Sequence, residues 1–135
     1  MKIIMDTNLL VAAFFNKRSA SAGLINLAKE GKVDILWSDD IRREAEFILG
    51  NIKKSVGNKR FKLSLDKVFK EKNKVEDTPD LRIVKDDSED DKFLECAKKG
   101  RPDIIVSNDS HLLKVGEFEN IPILTSKKAL NKING

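Results

Sequence analysis

The sequence predicts a single α/β domain over residues 1–135, with a mainly parallel central sheet of about five strands between helices. Two observations carry this. Short apolar runs of three to five residues recur along the chain, and the stretches between them place apolar residues at helical spacing. The length suits one core, and with 40% hydrophobic residues that core needs neither a disulfide nor a structural metal.

Taken in order, residues 2–5 form a buried first strand closing on Asp6. Residues 8–15 are apolar and lead into a loop at 16–19. From Ser21, the positions Leu24, Ile25, Leu27 and Ala28 mark one face of a helix that stops at Gly31. Residues 33–37 read as a second strand. Ser38 then caps a helix carrying Ile41, Ala45, Ile48 and Leu49, expected to end at a second glycine, Gly50. Between 51 and 74, the spacing of Phe61, Leu65, Val68 and Phe69 predicts a further helix or hairpin. Residues 81–84 read as a third strand, and Phe93, Leu94 and Ala97 lie on a helix ending near Gly100. A fourth strand at 103–106, a helical turn from His111, a last strand at 121–124 and a terminal helix from Ser126 complete the chain. No internal repeat or linker divides it.

Lys and Arg outnumber Asp and Glu by 26 to 22, a balance that favours polyanionic partners without requiring one. Its distribution is uneven. Residues 53–74 are rich in lysine, whereas 77–91 are acidic. Such a basic arm either docks phosphates or is a solvated helical hairpin, and composition leaves both open. The single cysteine, Cys96, cannot form an internal bridge and fits a reducing cytoplasm. No apolar stretch approaches the roughly 20 residues of a membrane span. Asp6 interrupts the apolar start where a signal peptide would continue, so export is not expected.

Acidic residues cluster where such folds bind ligands, beyond the carboxyl ends of strands. Asp6 directly follows the first strand, and Asp109 follows the fourth across Ser107 and Asn108. The group Asp86, Asp87, Glu89, Asp90 and Asp91 opens a helix, and Glu44 lies within the helix after Trp37. Converging carboxylates repel one another unless a cation neutralises them, and oxygen ligands without His or Cys point to Mg²⁺ or Mn²⁺. Metal-assisted phosphodiester hydrolysis is the natural chemistry. Each acid also has an ordinary explanation except Asp6, whose desolvation at a buried strand end needs a reason. Asp90 and Asp91 suit a first helical turn, Asp109 suits a turn, and Glu44 suits a solvent-facing helix position.

The order of short motifs then resembles the PIN-domain ribonucleases, a family that includes many toxins of bacterial and archaeal toxin–antitoxin pairs. Met5–Asp6–Thr7–Asn8 resembles the family's strand-end motif, and Ser38 through Glu44 its second motif, a serine followed six residues later by a glutamate. Asp87 through Ala97 is similar to the third, and Val106–Ser107–Asn108–Asp109 to the fourth. The resemblance implies a three-layer α/β/α fold and a metal-dependent endoribonuclease, with Asp6, Glu44, Asp90 and Asp109 as the catalytic, ion-binding acids. Asn8 and Ser107 would support them, and Asp91 is the rival to Asp90. It further implies RNA as substrate, an antitoxin as candidate protein partner, and a homodimer. Lys17 and Arg18, in the loop at 16–19 that follows Asp6 and the apolar residues 8–15, are candidates for phosphate contact.

Two other functions stay in view: a Mg²⁺-dependent α/β phosphatase with Asp6 as nucleophile, and a catalytically silent module binding RNA or protein. Asn8 stands where the phosphatase would want a second aspartate. Three residues are read as structural or incidental. Cys96 is expected to pack in the core, Trp37 to pack beside Phe47, and His111, the only histidine, to take no necessary part in chemistry.

Overall fold

The computed structural model describes residues 1–56, 65–81 and 91–135. Strand β1 (Lys2–Met5) is followed by helices α1 (Asn8–Phe15) and α2 (Ala20–Lys29), then β2 (Asp34–Ile35) and the long α3 (Asp39–Val56). A short α4 (Leu65–Val68) and a 3-10 turn (Glu71–Asn73) precede α5 (Asp91–Gly100) and β3 (Ile104–Val106). Helix α6 (Ser110–Val115), strands β4 (Glu117–Phe118) and β5 (Ile121–Leu124), and α7 (Ser126–Asn134) close the chain.

The sheet runs in the order β2-β1-β3-β5-β4, parallel except for the β4–β5 pair. Ile3, Ile4 and Met5 are consecutive, point to alternate faces and are all buried, as are Ile104, Ile105 and Val106. Both faces of the sheet are therefore covered, as a parallel sheet requires. Helix α5 packs on β1 and α3, whereas α7 packs on β3, β5 and α2. This is the three-layer α/β architecture expected from the sequence.

Several elements differ from the sequence reading. Helix α3 runs through Gly50 to Val56, because Ile52 continues the inward stripe of Ile41, Ala45 and Leu49. Residues 8–15 are helical throughout. The fifth described strand is β4, which reaches β5 through Glu119 and Asn120, both at positive φ (47° and 69°), the geometry of a tight two-residue hairpin turn. Leu81 lies in no strand, and residues 82–84 and Phe61 lie outside the described residues. Trp37 packs against Phe69, ring centroids 5.8 Å apart, and its indole N–H donates to the Lys70 carbonyl at 2.7 Å. Phe47 instead stands 71% exposed. Cys96 is buried in the core as expected.

Candidate active site

The register Met5↔Val106 between β1 and β3 sets the site. It carries the chain one residue further on each strand, so that Asp6 and Ser107 lie side by side. The Asp6 amide donates to the Val106 carbonyl at 2.9 Å, and the Ser107 hydroxyl donates to Asp6 Oδ2 at 2.9 Å. Asp6 Oδ1 accepts the Asn8 amide at 3.0 Å, capping the first turn of α1. Ser107 is completely buried and its hydroxyl oxygen also accepts the Asp109 amide at 3.0 Å. One serine thus orients two of the predicted acids. Asp109 in turn caps α6, its Oδ1 accepting the His111 amide at 2.7 Å.

Glu44 reaches the same crevice from α3. Its Oε1 accepts the Thr7 hydroxyl, and its Oε2 is paired with the Lys92 ammonium from the first turn of α5. Thr7 stands at the cap position of α1 yet makes no side-chain cap, because its hydroxyl is directed at Glu44. Sequence reasoning assigned no role to Thr7 or Lys92. Thr7 lies within the strand-end motif Met5–Asp6–Thr7–Asn8, but a threonine before a helix reads as a cap. Lys92 has no local signal, since only tertiary packing brings it to Glu44.

The electrostatics converge on Asp6, which is 3% exposed. Burial raises its carboxyl above the ordinary value. The Asn8 amide and Ser107 hydroxyl pull it back, and the negative charges of Glu44 and Asp109 push it further up. Glu44 and Asp109 therefore both lie close enough to Asp6 for their charges to act on it. Asp91 is buried at the start of α5, next to Lys92. Asp90 lies outside the described residues. Asn8 contributes its backbone amide, and its side chain is at the surface. Lys17 and Arg18 are exposed in the α1–α2 turn. Among the described residues, no three acidic, histidine or cysteine side chains are grouped so as to hold a metal ion by themselves.

His111 Nδ1 is covered and stands 3.6 Å from Asp109 Oδ1, beyond hydrogen-bond distance. Part of the basic arm proves structural. Lys70 donates to the Ala28 carbonyl at 2.8 Å, Lys72 lies 3.5 Å from Asp34, and Lys74 pairs with Asp39 at 3.2 Å. Asp39 and Glu76 accordingly raise the Lys74 ammonium above its ordinary value. Lys53, Lys54 and Lys67 remain exposed, and residues 57–64 lie outside the described residues. No helix among the described residues is long and apolar enough to cross a membrane.

A mainly parallel sheet with acids beyond its strand ends is the layout by which open α/β domains hold ligands. The PIN domain profile matches residues 2–111, from β1 into α6, and the chain belongs to the PIN-domain family. Members of that family are generally nucleases and typically use divalent metals. Neither a curated protein nor a solved structure matches the chain.

Proposed function

We propose that the chain is a Mg²⁺- or Mn²⁺-dependent endoribonuclease. The observation that carries this reading is the buried Asp6 carboxylate, aligned by Ser107 and the Asn8 amide, with its charge opposed by Glu44 and Asp109. The donor set fits such an ion. It is all oxygen, Glu44 and Asp109 place negative charge close to Asp6, and Mg²⁺ is ordinarily held by one or two carboxylates plus substrate phosphate and water. Asp6 and Asp109 would hold the ion, with Glu44 and whichever of Asp90 and Asp91 faces the crevice completing the acidic pocket. The ion would supply Lewis-acid polarisation of the phosphate and lower the pKa of a coordinated water.

The chain's own groups supply the rest. Ser107 fixes the rotamer of Asp6 and the backbone of Asp109. Thr7 and Lys92 hold Glu44 against the crevice and remove part of its charge. Lys17 and Arg18 offer cations for the RNA backbone. In the net reaction water adds to phosphorus and the ribose oxygen leaves, taking a proton. A toxin role would add an antitoxin protein covering this crevice, testable by expressing the chain with and without its neighbouring gene product and measuring growth.

The test is Asp6→Asn. The expected result is loss of metal-dependent RNA cleavage by at least about a hundredfold with the fold intact, as for removal of a principal electrostatic group. Full cleavage by this variant would overturn the reading. Cleavage that persists in chelator would remove the metal from it.

A further inference from the structure

Phe15 is 65% exposed and Phe47 is 71% exposed, the two large aromatic side chains left in solvent among the described residues. Isolated surface apolar residues are common. These two differ in where they stand. Asn8 and Phe15 are seven residues apart and share one face of α1, so that face leads from the Asp6 crevice to the ring over about 10 Å. Phe47 lies three residues beyond Glu44, on the same side of α3 as the acid that reaches the crevice. Each exposed ring thus sits on a helix that also supplies a residue of the site.

The surroundings of Phe15 suit an anion-bearing partner. Its ring lies edge-on to the half-buried Phe14, centroids 5.1 Å apart at 82°, and most of it stays in solvent. Lys17 and Arg18 follow at once in a turn braced by the Arg18 amide donating to Asn16 Oδ1 at 3.0 Å. Among the described residues neither cation is paired with an acid. An exposed ring beside two unpaired cations is the combination that binds single strands, a base on the ring and phosphates on the charges. In a duplex the base faces are already covered by their neighbours.

We propose that Phe15 and Phe47 are stacking platforms for unpaired bases, on which a single-stranded RNA is held as its backbone passes Lys17 and Arg18 toward Asp6. This rests on the nuclease reading above.

The experiment measures binding of a short labelled oligouridine, and of a duplex of equal length, by fluorescence anisotropy in the Asp6→Asn background with Mg²⁺ present. Binding is thereby read apart from cleavage, and loss of the nuclease reading leaves this result interpretable. Phe15→Ala and Phe47→Ala are each expected to weaken oligouridine binding roughly 5- to 100-fold, with melting temperatures unchanged because both rings are exposed. Duplex binding should be weaker than single-strand binding and unaffected. Phe15→Trp should restore affinity, with its indole emission quenched on addition of RNA. Lys17→Ala with Arg18→Ala should flatten the salt dependence by about two charges. Unchanged affinity in both alanine variants, a preference for duplex, or no oligouridine binding at all would overturn the proposal. So would alanine variants that only convert a dimer to a monomer, since the rings would then cover a second copy of the chain.

Discussion

Asp6 sets the residue-scale chemistry, because the same burial that equips it for a cation makes it costly without one. The sign follows from proton counting. Below the ordinary carboxylate value of 3.8, folded and unfolded chains both hold the proton and Asp6 contributes nothing to pH dependence. As pH rises past that value the unfolded chain releases its proton first, while the folded Asp6, raised by burial and by Glu44 and Asp109, retains it. The folded state therefore loses stability across the window up to the raised value. In chelator, Asp6→Asn should be more stable than the parent by about 1 kcal/mol at pH ~8, the usual trade at a functional site, and no more stable below the window. Urea melts at the two pH values decide it; a variant less stable at both would contradict the assignment. Cys96 makes the opposite case. Burial pushes its thiol up to about 12 despite the Ser38 hydroxyl, so a thiol reagent should label it only as fast as the protein unfolds. Rapid labelling of the folded protein would show the helix α5 face to be open.

Two glycines show what is decided at the scale of an element. Both follow an amphipathic stripe, and from sequence both read as helix stops. At Gly31 the stop is real. φ is +78°, the Gly31 amide donates to Ala28 and the Lys32 amide to Leu27, the paired bonds of a Schellman end. Gly50 has ordinary helical geometry, and a Cβ added there would meet nothing within 4 Å. Gly31→Ala should therefore cost about 1 kcal/mol, and Gly50→Ala should stabilise by up to about 1 kcal/mol. Thermal melts that moved the same way for both would refute this difference. Local composition could not separate the two. What could was Ile52, which carries the period of Ile41, Ala45 and Leu49 past Gly50. The strands were more legible, because consecutive buried residues such as Ile3, Ile4 and Met5 have few other uses. Strand β4 was not, since its two residues gain strand geometry only from pairing with β5. Trp37 was likewise misplaced: its partner Phe69 comes from a segment 32 residues away, a contact with no local signature.

Across the whole molecule the site joins segments far apart in the chain: the end of β1, the middle of α3, the start of α5 and the end of β3. Asp6 was legible as a candidate from its place at a buried strand end, whereas Asp109 after β3 read as a turn residue until the ordered motifs raised it. Glu44 was legible only as part of an ordered motif, and Thr7 and Lys92, which hold it, were not. A site assembled in this way predicts a linkage. Any ion that binds the folded crevice and not the unfolded chain must stabilise all these segments together, by about 2.7 kcal/mol at a hundred times its dissociation constant. Mn²⁺ should therefore raise the melting temperature by several degrees, and chelator should reverse the rise. Asp6→Asn and Asp109→Asn should each abolish most of it, whereas Glu76→Gln, an exposed acid paired with Lys74 and not among those acting on Asp6, should leave it intact. The rise in the parent and its loss in both crevice variants would localise the ion without reference to cleavage. A shift that survived both substitutions would place the ion elsewhere. A parent that did not respond to Mn²⁺ would leave Asp6 buried for a reason other than metal.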